Sequence, residues 1–322
     1  IFHHKDFLPK KLYFNYLSIV NKYKMKALDK ITENIYSLIE DMDFNFLDID
    51  SIALNLGIDK SDDRRIQALI IYVMNQITFE LGNTYLSYEE ILNNIRNYNQ
   101  NINDEVLEYN IYKLNELGKV KIIDDKYYLK EFYEAEKYIA DKLCFLNDIE
   151  NKPPKDLDKK IDELEKTNNI TYDKIQKTAI IKAVVNNVTI ITGGPGTGKT
   201  TIIRAIVSLL KDIYKARDEE IALLAPTGRS AKRMMTSVGV SAYTIHKFLK
   251  WNKENGTFQM DEYNKVDERV IIVDEASMID IFLFNSLLKA LKMNVKLLLI
   301  GDENQLPSIG PGNVLGDLLA SE

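Results

Sequence analysis

The sequence predicts an α/β domain built on a mostly parallel sheet and preceded by a mainly helical region, on the strength of three observations. From about residue 170 onward, apolar runs at 188–192, 221–225, 270–273 and 295–300 are each followed by a loop and then a helical pattern, the alternation typical of parallel sheets. Before that point apolar residues recur mainly at helical spacing. Between the first strand run and its helix lies a loop of glycines, and open sheets of this class bind ligands at the carboxyl ends of their strands.

Helical spacing begins over 16–20 and continues over 27–39. His3 and His4 read as a solvated terminus rather than a metal site. A longer helix over 62–81 carries Ile66, Leu69, Ile70, Val73, Met74 and Ile77 as a core stripe and stops at Gly82. Ser87 and Glu90 form a capping box opening the next helix, and a third helix over 104–117 closes at Gly118. Residues 120–123 and 126–129 alternate in strand fashion about Asp124 and Asp125, which predicts a hairpin. Three helices and a hairpin are winged-helix-like, an arrangement that binds DNA in some proteins and only packs against neighbours in others. After a helix over 131–146, the polar Asn151-Lys152-Pro153-Pro154-Lys155 is the linker candidate. The expected organisation is a helical segment over 1–60, a helical, winged-helix-like one over 61–150, a linker over 151–169 and the α/β domain over 170–322.

With 322 residues, 45% of them hydrophobic and 28% charged, the chain is long enough for two or three domains with sizeable cores. A net charge of -6 argues against coating nucleic acid by total charge, so such a partner needs a local basic surface. Residues 226–253 supply one: Arg229, Lys232, Arg233, Lys247, Lys250 and Lys253, with no Asp or Glu among them. The single cysteine, Cys144, excludes an internal disulfide and fits a reducing compartment. Apolar stretches are too short to cross a bilayer, so a cytoplasmic protein without a membrane partner is expected. The chain begins at Ile1 and reads as a piece of a longer protein.

The chemistry gathers at the strand ends. Gly193-Gly194-Pro195-Gly196-Thr197-Gly198-Lys199-Thr200, between the strand at 188–192 and a helix, is a phosphate-gripping P-loop. Its glycines let backbone N–H groups and the positive end of the helix face phosphate oxygens, while Lys199 reaches the β- and γ-phosphates and Thr200 ligates Mg²⁺. Asp274 and Glu275 directly follow the apolar run at 270–273, Asp274 suited to the metal and Glu275 to polarising the attacking water. Gln305, after the last strand run, can donate to a γ-phosphate oxygen and accept from water; the alternative is a polar loop facing solvent.

Taken together, Gln176, residues 193–200, Ala225-Pro226-Thr227-Gly228-Arg229-Ser230-Ala231, Thr244-Ile245-His246-Lys247-Phe248-Leu249, Asp274-Glu275-Ala276-Ser277-Met278 and Gly301-Asp302-Glu303-Asn304-Gln305-Leu306-Pro307 resemble the first motor domain of superfamily 1 DNA helicases, and more narrowly the RecD-like branch. The resemblance implies a RecA-like P-loop NTPase fold and an ATP-driven motor moving 5′ to 3′ on single-stranded DNA in recombination or repair. It implies a nucleotide site of Gln176, reading the adenine edge, with Gly194, Pro195, Gly196, Thr197, Gly198, Lys199, Thr200 and Thr201, and a metal site of Thr200 and Asp274. Lys199, Glu275 and Gln305 would be catalytic, Gln305 coupling γ-phosphate loss to movement. DNA contacts are implied for Thr227, Gly228, Arg229 and Lys232, with Arg233 beside them, and for His246 and Lys247; His246 is alternatively a buried, hydrogen-bonded histidine.

A small hairpin insertion at about 250–265, turning at Asn255-Gly256, resembles the family's pin at the strand fork; Trp251 and Phe258 either stack on bases or pack across the hairpin. Residues 36–43 and 54–59 resemble the family's helix-hairpin-helix region, but where the family has Gly-x-Gly this chain has Phe44-Asn45-Phe46-Leu47, which points to packing rather than phosphate contact. The family's second motor domain, with the arginine that stabilises the transferring phosphate, would lie beyond Glu322, so this part is expected to bind ATP and Mg²⁺ but to turn ATP over weakly alone. Expected partners are a DNA fork or single strand and repair proteins, with the chain monomeric. The alternative reading is a non-motor ATP-binding subunit or scaffold of a DNA repair complex.

Overall fold

The computed structural model describes residues 19–321; His3, His4, residues 16–18 of the first helical pattern and Glu322 lie outside them. The chain divides into two compact units, Ile1–Lys130 and Glu131–Glu322.

In the first unit, the helical pattern over 27–39 is split into α1 (Ala27–Asn34) and α2 (Ser37–Met42). The Asn34 side chain accepts from the Tyr36 N–H at 3.1 Å, a local bond that competes with helix continuation. Asp43, in left-handed conformation at φ 56°, ends α2, and Asn45 caps α3 (Phe46–Asn55) by accepting from the Leu47 N–H at 2.8 Å. Phe46 is 2% exposed and stacks on Tyr72 with centroids 4.9 Å apart. At the position where glycines would be needed to approach a phosphate, the chain thus places a core anchor.

The long helix α4 (Asp63–Leu81) is capped by Asp62 and stopped by Gly82 at φ 73°. The capping box of Ser87 and Glu90 opens α5 (Tyr88–Ile95), and Asn103 caps α6 (Asp104–Glu116). Strands β1 (Val120–Ile123) and β2 (Lys126–Leu129) form an antiparallel hairpin. Its two turn residues, Asp124 and Asp125, both have positive φ, 47° and 59°, as a twist-matched two-residue hairpin turn requires.

Polar groups also hold this unit together from within. Arg65, 2% exposed, donates from Nε and Nη2 to the two oxygens of Asp50 at 2.8 and 2.9 Å, and the Tyr36 hydroxyl donates to the same carboxylate at 2.7 Å. Burial, followed by the bond to Asp50, drives the Tyr36 phenol well above its usual range. Removing one partner of such a pair leaves the other charge buried and uncompensated.

The second unit takes in all but the first residue of α7 (Lys130–Asn147). Within 151–169, read from the sequence as a linker, residues form α8 (Leu157–Asn168), whose Leu157 and Ile161 are buried in the core of this unit. After α9 (Lys174–Val185) comes a five-stranded sheet in the order β3 (Val188–Thr192), β9 (Lys296–Gly301), β8 (Val270–Val273), β4 (Ile221–Ala225), β5 (Ala242–Thr244), with every pairing parallel. Buried Val, Ile and Leu fill the central strands, as expected of a sheet covered on both faces. The helices are α10 (Lys199–Tyr214), α11 (Gly228–Val238), the short α12 (Ile245–Phe248), α13 (Ile281–Ala290) and α14 (Val314–Ala320). This is a P-loop NTPase α/β fold.

Strands β6 (Trp251–Asn252) and β7 (Thr257–Phe258) make the small hairpin, whose loop has four residues, with Gly256 at φ 65°. Trp251 and Phe258 pack across it, centroids 4.7 Å apart. At the amino-terminal end of the sheet, Lys296 opens β9 and its ammonium donates to the Asn186 carbonyl. Burial lowers its pKa to about 8. Among the described residues no helix is long and apolar enough to cross a membrane.

Asp50→Asn is expected to destabilise the protein by about 3 kcal/mol in urea denaturation, because Arg65 loses its counter-charge; an unchanged midpoint would contradict this. Lys296 takes up a proton less readily folded than unfolded, so its penalty is full below about pH 8 and is relieved as pH rises towards the unfolded lysine value. Lys296→Met should therefore raise the unfolding midpoint at pH 7 and raise it less at pH 10; an equal shift at both would refute the assignment.

Candidate functional site

Parallel register lines up the ends of three neighbouring strands. Thr192 pairs with Gly301, and Val273 pairs with Leu299, so the loop after β3, the end of β9 and residues 274–275 lie side by side. The Gly193 N–H donates to the Gly301 carbonyl at 3.2 Å, and the Asp274 N–H to the Leu224 carbonyl at 2.9 Å, which continues the sheet pattern into the site. Gly301 needs its missing side chain: a Cβ there would come within 2.6 Å of Leu315 and 3.3 Å of the Ser277 backbone nitrogen.

A cleft of about 410 Å³ opens at this edge, lined by Gly194, Pro195, Gly196, Thr197, Gly198, Lys199 and Thr200 together with Arg233, Asp274, Glu275, Gly301 and Gln305. The residues that the sequence places in the P-loop, the acidic pair and the last strand end therefore share one site. Gly198, at φ 84°, is the N-cap of α10, and its left-handed turn sets the loop against the helix start. Lys199 curls over the loop, its ammonium donating to the carbonyls of Gly193 and, at 3.0 Å, Gly194. Thr201 lies one residue deeper in α10 and does not line the cleft.

Asp274 is 7% exposed, and its Oδ1 accepts from the Glu275 N–H at 2.9 Å. Burial pushes its carboxyl up, with Glu275 adding to the effect, while that backbone bond, Arg233 and Lys199 pull the other way. Such a desolvated carboxylate facing two cations is suited to a further positive charge. Among the described residues no group of three or more His, Cys, Asp or Glu could hold a metal ion; Mg²⁺ in general takes one or two protein oxygens and completes its shell with phosphate and water. Thr200 and Asp274 are the chain's own oxygen donors of that kind.

Glu275 has a left-handed backbone, φ 54°, and both of its carboxylate oxygens are engaged by α11. The Ser230 hydroxyl donates to Oε2, and the Arg233 guanidinium donates to Oε1 at 2.9 Å. Arg233 also lies 3.9 Å from Asp274. The sequence grouped Arg233 with the DNA-facing segment and gave Ser230 no role; the structure turns both onto Glu275, and Arg233 lines the cleft. Their spacing of three residues puts them on one face of α11, a signal available in the sequence, but its target is not.

Gln176 closes the capping box of α9, its Oε1 accepting from the Asp173 N–H at 3.1 Å and its Nε2 donating to the Thr197 carbonyl at 3.2 Å. It abuts the phosphate loop from outside the cleft lining and retains one N–H and one lone pair for a further partner. Gln305 is exposed at the cleft rim, its Nε2 directed at Asp302 at 3.4 Å.

A second cluster stands at the ends of β4 and β5. Ala225 pairs with Thr244, so Thr227 and His246 each lie two residues beyond the same register position. Thr227 caps α11, and Gly228, Arg229 and Lys232 are exposed on its first turns. His246 is exposed, with its ring 6.0 Å from Trp251 and 5.7 Å from Phe258, rather than buried as in the alternative reading. Lys247 is exposed and sits over the Tyr243 ring at 5.2 Å.

Comparison with known proteins bears on the whole arrangement. The AAA domain family model matches residues 176–311, and the ATP-dependent RecD2 DNA helicase HHH domain model matches residues 15–85. The chain is 33% identical over 213 residues to the RecBCD enzyme subunit RecD of Buchnera aphidicola, an alignment covering 59% of this chain and 34% of that one. It is 36% identical over 164 residues to the RecBCD enzyme subunit RecD of Haemophilus influenzae, covering 44% and 26%. It is 25% identical over 307 residues to the ATP-dependent RecD2 DNA helicase of Deinococcus radiodurans, covering 91% of this chain and 42% of that one. The chain thus spans between about a quarter and two fifths of the length of these relatives. One family match within each unit, RecD and RecD2 relatives, and a cleft lined by the motif residues agree: the chain resembles the RecD-like helicases.

Proposed function

We propose that this chain is the nucleotide-binding part of an ATP-dependent DNA helicase that moves 5′ to 3′ on single-stranded DNA and serves recombination or repair. The observation that carries the reading is the single cleft lined by the P-loop, Asp274, Glu275 and Gln305. In it the loop N–H groups and the α10 start receive the phosphates, and Lys199 exchanges its carbonyl partners for β- and γ-phosphate oxygens. Thr200 and Asp274 hold Mg²⁺, which when bound neutralises phosphate charge and templates the phosphate geometry. Glu275 takes the proton of the attacking water, and Gln305, at the rim, senses whether the γ-phosphate is there. Gln176 reads the base with its remaining donor and acceptor.

The exposed Arg229, Lys232, Lys247, Lys250 and Lys253, with Thr227, Gly228 and His246, form the path for the DNA backbone. Small and basic groups suit contacts that position a strand without reading its sequence. Turnover by these residues alone is low, because an arginine on the transferring phosphate is worth about a thousandfold or more and none of them serves there.

Two measurements test the reading. In the intact protein Lys199→Ala should lower DNA-stimulated ATP turnover by about a hundredfold or more and abolish unwinding. Retained unwinding would favour a non-motor, ATP-binding subunit instead. If the five exposed cations each neutralise one phosphate, affinity for single-stranded DNA should fall by about a hundredfold between 50 and 200 mM salt, with little dependence on base sequence. A flat salt response would remove the proposed path.

A further inference from the structure

One helix holds both oxygens of the residue assigned to activate water. Ser230 and Arg233 of α11 donate to Oε2 and Oε1 of Glu275, so one lone pair of each oxygen is committed to that helix, which lowers the carboxylate's basicity and fixes its orientation. Ser230 is 7% exposed and is tied in turn to the Thr227 hydroxyl at 2.8 Å, the group that caps the same helix. Glu275 itself is held in the left-handed region, a conformation non-glycine residues keep only when their surroundings enforce it.

The cap and first turn of α11 carry Thr227, Gly228 and Arg229, the residues proposed above to meet a DNA backbone; the next residue is Ser230, and Arg233 follows one turn later, the two groups on Glu275. An eleven-residue helix moves as a unit, so a shift that seats its start on a phosphate also shifts Ser230 and Arg233. Arg233 additionally lines the nucleotide cleft, which gives its guanidinium a second acceptor in a bound γ-phosphate.

We propose that α11 is a relay between nucleic acid and hydrolysis, in which Ser230 and Arg233 restrain Glu275 and engagement of the first turn of the helix by a phosphate backbone frees it. The inference rests on the reading of the chain as part of a DNA-stimulated ATPase and deepens it by naming how the stimulation reaches the water-activating group. Ser230 and Arg233 are positioning residues here. The restraint lowers turnover when no strand is bound, which limits futile hydrolysis.

The test measures ATP turnover by the intact protein with and without single-stranded DNA, for wild type, Ser230→Ala and Ser230→Thr. Loss of one hydrogen bond to a charged group should raise the DNA-free rate of Ser230→Ala by about tenfold and shrink the stimulation ratio by the same factor. The KM for ATP and the Kd for DNA should stay within about twofold of wild type, a split that general damage to the fold would not produce. Ser230→Thr retains the hydroxyl and should behave as wild type. An unchanged DNA-free rate in Ser230→Ala, or an equal fall of both rates, overturns the relay. If Ser230→Ala folds poorly, Ser230→Cys, similar in size and a much weaker donor, decides between the same outcomes. A wild-type protein without DNA stimulation would remove the functional reading and the relay together, whereas a stimulated wild type with an unaltered Ser230→Ala removes the relay alone.

Discussion

The site depends on β9 lying between β3 and β8 with all three strands parallel. Parallel strands end at the same edge, so loops far apart in sequence emerge side by side. The glycine loop after β3 and the acids after β8 can then face one cleft across Gly301, which has no room for a side chain beside Leu315 and the Ser277 backbone. The same logic places the second cluster, because β4 and β5 end together two residues before Thr227 and His246.

Charge is arranged around that geometry in an unbalanced way. Asp274 is desolvated, while Lys199 and Arg233 pull its carboxyl towards ionisation without contacting it closely. Glu275, its neighbour, is compensated by Arg233 and Ser230. Two adjacent acids therefore differ in what they lack: Asp274 lacks a cation in close contact, and Glu275 lacks freedom, with one lone pair of each oxygen already engaged. The first deficit matches a metal bound with a triphosphate, and the second makes α11 the element that couples the cleft to the basic face.

Much of this was legible in the sequence because local signals and long-range packing agree. The four apolar strand runs, the caps at Asp62 and Ser87, the stops at Gly82 and Gly118 and the Asp124-Asp125 turn all appear where the patterns put them. Other features depend on tertiary context that no window of sequence contains. The edge strand Ala242–Thr244 is three residues long, too short for a period to show. The helix over 157–168 follows a proline-containing polar stretch and carries many charges, so only the burial of Leu157 and Ile161 in the core identifies it as part of the second unit. The bonds of Arg65 to Asp50 and of Ser230 to Glu275 join residues 15 and 45 positions apart, and charged residues in a pattern look solvated until their partners are known.

The most direct test of the account is a crystal structure of the protein with a non-hydrolysable ATP analogue and Mg²⁺. The account predicts the triphosphate in the cleft between the glycine loop and Asp274, with the Lys199 ammonium moved off the carbonyls of Gly193 and Gly194 onto phosphate oxygens and the metal shared by Thr200 and Asp274. A triphosphate bound elsewhere, or bound with Lys199 still on those carbonyls and Asp274 remote from the metal, would contradict it.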